Sequence, residues 1–130
     1  KILKNPDEFC KRVIETKKSV LDKIAKADGI YIYGAGVRGQ SIFRYFCYMN
    51  LYDKLEGFVE SQTPVRECVC TKTVQHVKES VDHGRNLLYI VSVKRGTEAY
   101  KQMRECLNRL GIQHELDSED IIDNFYSICG

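Results

Sequence analysis

The amino-acid sequence predicts an α/β domain built on an open parallel sheet with helices on both faces. Three observations carry that prediction. Short apolar, β-branched and aromatic runs alternate along the chain with segments of helical periodicity. The run Leu87–Val93 is apolar except for Ser92, the pattern of a strand buried on both faces at the centre of a parallel sheet. A glycine-rich turn, Gly34-Ala35-Gly36-Val37-Arg38-Gly39, stands where the first such run gives way to a helix.

The elements follow in order. Asn5-Pro6-Asp7-Glu8 starts a helix: Asn caps, Pro suits the first helical position, and two acids suit the positive end of the macrodipole. Phe9, Val13, Val20 and Ile24, with Ile14 and Leu21 beside them, give it a broad apolar stripe that ends at Asp28-Gly29. Ile30–Tyr33 reads as a buried strand, and 42–52 as the helix after the glycine turn. Leu55–Val59 is the second strand. A turn around Ser61–Pro64 leads to a short Cys68-Val69-Cys70 segment and a helix near Thr73–His83. After the Leu87–Val93 strand, Ala99, Met103, Cys106, Leu107 and Leu110 form a helical stripe stopped at Gly111. Ile112–Leu116 is a last strand, and Ser118-Glu119-Asp120 opens a final helix through Ile121, Ile122, Phe125 and Ile128. Strands alternating with helices in this way pair in parallel.

Composition excludes several classes. The chain has 130 residues, 43% hydrophobic and 29% charged, which fits one globular domain and argues against disorder. A net charge of +2 gives no whole-molecule attraction to nucleic acid or to an anionic membrane. A membrane span needs about 20 apolar residues, far more than any run here. Charge is uneven locally: residues 1–28 carry eight basic and five acidic groups, whereas 113–130 carry five acids and no Lys or Arg. The two stretches are solvated faces suited to attract one another. Six cysteines are too sparse for a disulfide scaffold, so reduced thiols and a cytoplasmic setting are expected. The chain begins at Lys1 and shows no signal-peptide pattern, and reads as a piece of a longer or processed protein.

The chemistry concentrates in Gly34-x-Gly36-x-x-Gly39. The turn follows a strand, opens a helix, and has an acid, Glu60, at the end of the next strand, 24 residues after Gly36. This is close to the dinucleotide fingerprint, in which the acid lies about 20 residues on. Gly34 allows the tight turn, Gly36 the approach of phosphate to the backbone, and Gly39 the close packing of helix on strand. The helix N-terminus offers unpaired N–H groups to phosphate. Glu60 suits ribose hydroxyls and disfavours a 2′-phosphate, so NAD-like ligands are expected over NADP-like ones. The expected fold is therefore a Rossmann-like open parallel sheet of four to five strands with helices on both faces, plus an extra N-terminal helix. Residues 1–28 form the helical extension and 29–130 the nucleotide-binding domain.

Ligands of such sheets sit beyond the carboxyl ends of the strands, where strand order reverses. The loops 34–39 and Ser92-Val93-Lys94-Arg95-Gly96 should meet there. Candidate ligand-binding residues are thus Gly34, Ala35, Gly36, Val37, Arg38, Gly39, Glu60, Ser92, Lys94 and Arg95. Arg38, Lys94 and Arg95 are expected to form an electropositive mouth for a diphosphate; the other reading of Lys94 and Arg95 is plain loop solvation.

Competing motifs fit less well. Gln40 stands where a P-loop needs its Lys, and no acid ends the Leu87–Val93 strand to hold Mg²⁺. An S-adenosylmethionine-dependent methyltransferase-like domain wants an acid just before the glycines, and Tyr31-Ile32-Tyr33 has none. Cys68-x-Cys70 with His76 reads as packing on a short strand more readily than as zinc ligation, and no metal is expected. His76-x-x-Glu79 falls on a surface turn, and His83 and His114 have no evident partner. No catalytic motif stands out.

The segments Ile32-Tyr33-Gly34-Ala35-Gly36…Gly39, Gly57-Phe58-Val59-Glu60, Leu88–Val93 and Leu107–Gly111-Ile112 form a layout over residues 29–125. It resembles the Rossmann-like nucleotide-binding module of bacterial polysaccharide-biosynthesis proteins. Such modules precede the catalytic domain in nucleotide-sugar dehydratases and epimerases and in PglD-type sugar acyltransferases. This chain departs from the acyltransferases in having Val37-Arg38 for their Gly-His, Glu60 for their usual Asp, and no hexapeptide repeats. The resemblance implies NAD or a nucleotide-sugar as ligand, with catalysis supplied by another domain of the parent protein. A fragment of an NAD-dependent sugar-nucleotide oxidoreductase or epimerase is the alternative, and an interaction domain with a vestigial turn is a third.

Finally, Ile42–Met49 is apolar or aromatic nearly all round, so its second face needs a cover. The helix within residues 6–27 is the first candidate and a second copy of the chain, making a homodimer, the next.

Overall fold

Strand β1 (Gly29–Tyr33) shows how the core is divided. All five residues are buried, and alternation sends Ile30 and Ile32 to one face and Tyr31 and Tyr33 to the other. The structure, a computed structural model, describes residues 17–122. Within them, a helix over 17–26 (α1) precedes β1. Then come α2 (Val37–Tyr48), a 3₁₀ turn at Tyr52–Lys54 and β2 (Leu55–Glu60). A hairpin of β3 (Cys68–Val69) and β4 (Lys72–His76) leads to a single helical turn, α3 (Val77–Ser80). β5 (Leu87–Val91), α4 (Glu98–Arg109) and β6 (Glu115–Asp117) follow, with 118–122 opening a last helix, α5.

The chain is an α/β protein with one six-stranded, mostly parallel sheet in the order β3-β4-β2-β1-β5-β6. Only the β3–β4 pair is antiparallel. Counted among themselves, the five parallel strands stand in the order 3-2-1-4-5, so strand order reverses between β1 and β5. One core layer joins Val20, Ile24 and Ala27 of α1 and its end to Ile42, Phe43 and Phe46 of α2 and Ile121 of α5. The opposite layer packs Leu107 of α4 and Val77 of α3 against Tyr31, Tyr33, Tyr89 and Val91. Helices thus cover both faces, and none among the described residues is long and apolar enough to cross a membrane.

Three expectations are corrected. The sheet has six strands rather than four to five, because Lys72–His76 forms strand β4 and pairs with the short Cys68–Val69 strand. The helix expected near Thr73–His83 is in fact strand β4 followed by one helical turn. Val74, Val77 and Val81 imitate helical spacing, yet Val74 belongs to one core layer and Val77 to the other. Pairing with β2 through Phe58–Val74 and Val59–Gln75 outweighs that local pattern. The last strand begins at Glu115 rather than Ile112.

Helix α1 and α2 share a core layer, which covers Phe43 and Phe46, but Tyr48 at the end of α2 stays 87% exposed. The helix start at Asn5-Pro6, with Phe9, Val13 and Ile14, and the residues Phe125 and Ile128 lie outside the described residues.

The tyrosine layer makes the protein sensitive to alkali. Tyr31 and Tyr89 stack with ring centroids 5.4 Å apart, and the Tyr89 hydroxyl lies 2.7 Å from Ser80 Oγ. Burial pushes the phenols of Tyr31, Tyr33 and Tyr89 above their ordinary range. A group whose folded pKa is raised stabilises fully below its unfolded value, about 10 for tyrosine, and loses that contribution as pH rises beyond it. Stability should therefore hold up to about pH 10 and fall above it. A late, cooperative rise in tyrosinate absorbance should coincide with loss of the far-ultraviolet helix signal. Complete ionisation with the helix signal intact would contradict this.

Candidate functional site

The turn after β1 is held by its neighbours on every side. Gly34 adopts φ +103°, in the region that favours glycine. Its N–H donates to the Val59 carbonyl (2.8 Å), and its own carbonyl accepts from Ser92 Oγ (3.1 Å). The Ala35 N–H donates to Glu60 Oε2 at 3.2 Å, and the Ala35 carbonyl accepts from Gln40 Nε2 at 3.0 Å. Gln40, read in the sequence only as the residue that spoils a P-loop, thus ties the helix back to the turn.

The other two glycines have distinct surroundings. A Cβ at Gly39 would lie 2.0 Å from the Gly34 carbonyl oxygen, so helix α2 packs on the turn at a distance only glycine permits. A Cβ at Gly36 would meet nothing within 4 Å. Gly36 caps α2 without a side-chain hydrogen bond, and Val37 beside it is 81% exposed. Open space therefore adjoins the first turn of a helix whose N–H groups no capping side chain claims.

Glu60 ends β2 beside His76, which ends β4. A cleft of about 440 Å³ borders the turn here, walled by Ala35, Glu60, Pro64, Arg66, Val74 and Met103 among others. Its volume is that of a small-ligand pocket. Glu60 Oε2 is engaged by Ala35, and Oε1 has no hydrogen-bond partner among the described residues.

The electropositive mouth expected from Arg38, Lys94 and Arg95 does not form, because the C-terminal acids answer the arginines. Arg38 Nε donates to the Ser92 carbonyl (3.0 Å), and its Nη2 donates to Ser118 Oγ and lies 3.9 Å from Glu119 Oε2. Arg95 Nε pairs with Asp117 Oδ2 at 2.7 Å, and its Nη2 lies 3.6 Å from Asp120 Oδ1. The Arg95 backbone N–H donates to Glu119 Oε2 (2.8 Å). Burial alone would raise the Glu119 carboxyl, but the N–H groups of Arg95 and of Glu119 itself and the Ser118 hydroxyl hold it below the usual carboxylate range. Asp117 also accepts from Tyr100 and Arg104, and Arg104 reaches Glu115 at 2.6 Å. Lys94 is exposed with no ion pair among the described residues. Ser92, expected to bind ligand, is buried under the turn and holds Gly34 instead.

Sequence reasoning missed Arg66 and the loop 61–66. No motif marks them, and only the folding of that loop beyond the carboxyl end of β2 brings them to the cleft. Tyr33 reaches Ser61 Oγ from below. Burial holds the Tyr33 phenol far above the range of a group that exchanges protons near neutral pH. Cys68 and Cys70 are exposed on the hairpin, with Cys70 in its turn at φ 59°. The His76 ring accepts from the Lys78 N–H, and among the described residues no cluster of three His, Cys, Asp or Glu can hold a metal.

A larger cleft, about 570 Å³, lies at the opposite edge of the sheet among Asp28, His83, Arg85, Asn86, Gln113 and His114. It gathers at the amino ends of the strands, where neither helix N-termini nor the glycine turn point, so chemistry favours the smaller one.

Fold and site together define a class: an α/β domain with a mostly parallel six-stranded sheet and a glycine-rich strand-to-helix turn beside a cleft at its carboxyl edge. No protein-family model, no curated protein and no solved structure matches the chain.

Proposed function

We propose that this chain is a Rossmann-like nucleotide-binding module that takes a nucleotide diphosphate or related ligand, NAD-like or a nucleotide-sugar, at the Gly34–Gly39 turn. The observation that carries the reading is the open space at Gly36 at the start of α2, next to Ala35, which lines a cleft together with Glu60. Phosphate oxygens bind the uncapped N–H groups of α2, where partial positive charge gathers. Ribose hydroxyls donate to Glu60, whose negative charge repels a 2′-phosphate. The strand order and its reversal beside the turn support the same assignment.

The module binds rather than transforms its ligand. Tyr33, which reaches Ser61 at the cleft wall, is held neutral by burial, and Arg38 and Arg95 beside the turn are paired with carboxylates. Catalysis then belongs to another domain of the parent protein. The glycan-biosynthesis setting rests on the resemblance carried by the Tyr-Gly-Ala-Gly turn and the Gly57-Phe58-Val59-Glu60 strand end. Cys47, Cys68, Cys70 and Cys106 are free thiols, which suits a cytoplasmic setting.

A thermal-shift panel with NAD, NADP, S-adenosylmethionine, UDP and UDP- or GDP-sugars tests the reading. A true ligand at about 100 times its Kd adds about 2.7 kcal/mol, a shift of several degrees. Gly36→Val should abolish that shift while leaving the ligand-free melting temperature near wild type, since the added side chain enters open space. A flat panel, or a shift that survives in Gly36→Val, rejects the turn as the site.

A further inference from the structure

Resting on that reading, we infer that the site holds one nucleotide, not a dinucleotide, and that Arg66 is its phosphate-binding cation. A dinucleotide spans the point where strand order reverses, one half over β1, β2 and β4, the other over β5 and β6. Here the two halves differ. The first half is the open one: none of the residues lining the cleft beside Ala35 and Glu60 comes from β5, from β6 or from the loop after β5.

The second half is laced shut by the chain itself. Residues 117–120 run from β6 into α5 across the crest of β5 and are fastened to both sides of it. Arg38 joins this segment to α2 through Ser118 and Glu119 while also holding the Ser92 carbonyl. Arg95 joins it to the loop after β5 through its side chain on Asp117 and its N–H on Glu119. Ser118 Oγ, fully buried as a residue, closes the seam against the Val93 carbonyl. A second nucleoside would have to displace these six contacts. It would also meet Asp117, Glu119 and Asp120, which already engage Arg38, Arg95 and Arg104, so these arginines are not free to hold a second phosphate.

The cation for the first phosphate must then come from the open half. Arg66 is the arginine lining that cleft, and it has no ion pair among the described residues. It faces the same cavity as Glu60 and the Ala35 end of the turn, so one nucleotide can engage the carboxylate through ribose and the guanidinium through phosphate. Whatever the phosphate carries beyond that point, a sugar or nothing, leaves the cleft.

Titration calorimetry on the intact chain with adenosine, ADP, NAD, UDP and UDP-glucose tests this. The expected results are Kd values for ADP and NAD within about threefold of each other, since the second nucleoside finds no site. The uridine pair should likewise agree; a tenfold or greater preference for UDP-glucose would overturn the inference that the group beyond the phosphate leaves the cleft. Arg66→Gln should weaken ADP about tenfold and leave adenosine unchanged, a split that loss of fold cannot produce. NAD binding ten times or more tighter than ADP would overturn the single-nucleotide inference while leaving the nucleotide-binding reading in place. Equal weakening of adenosine and ADP in Arg66→Gln would remove Arg66 from the phosphate role. Binding of none of the five rejects both readings.

Discussion

Gly39→Ala should be the most damaging single-methyl substitution in the described part of this protein. The new Cβ would sit 2.0 Å from the Gly34 carbonyl oxygen and 3.1 Å from its carbon. The obstacle is backbone, and it cannot step aside. Gly34 is pinned through its N–H to Val59 and through its carbonyl to Ser92, and Gln40 ties the next carbonyl to α2. Relief requires lifting the start of α2 off the sheet, which loosens Ile42, Phe43 and Phe46 from their core layer. Overpacking alone costs about 1–3 kcal/mol, and loss of core contacts adds to it. We expect about 3 kcal/mol or more, a fall of about 10 °C or more in Tm for a domain of this size. Chemical denaturation of both proteins measures it; a loss below about 1 kcal/mol would show that the helix and turn are not in the close contact described.

Gly34→Ala comes next, and its cost has two separable sources. The φ of +103° strains any residue with a Cβ, by about 1–3 kcal/mol. In addition the methyl would lie 2.4 Å from Ser92 Oγ. That hydroxyl can rotate away, but doing so breaks its bond to the Gly34 carbonyl and leaves a buried hydroxyl unsatisfied, at about 1–3 kcal/mol. The sum is about 2–6 kcal/mol. A double-mutant cycle with Ser92→Ala separates the terms. Gly34→Ala should cost about 1 kcal/mol less when the Ser92 hydroxyl is already gone, because only the backbone strain remains. Identical penalties in both backgrounds would refute the contact between Ser92 and the turn.

These substitutions mark where sequence and structure divide the work. Apolar patterning was enough to place β1, β2 and β5, the helices after the glycine turn and after Gly96, and the parallel sheet that joins them, because strands buried on both faces must be apolar throughout. The tasks of Gly34 and Gly39 were legible too, since both depend on backbone geometry local to the turn. Strand β4 was not legible: Val74 and Val77 carry helical spacing, and only the pairing of Val74 with Phe58 and Gln75 with Val59 makes the segment a strand that ends before Val77.

The charge around the site lay further out of reach. Arg38 and Arg95 read as phosphate ligands because their loops meet beside the turn, and the acids that claim them lie 22 or more residues away in the chain. Arg66 stands in a stretch with no motif and gains its meaning from the loop that carries it to the cleft. Local backbone demands are written in neighbouring residues, so the sequence by itself determined strands β1, β2 and β5 and the turn between β1 and α2. Whether a cation is free or already neutralised depends on distant partners in space, and that only the tertiary structure decided.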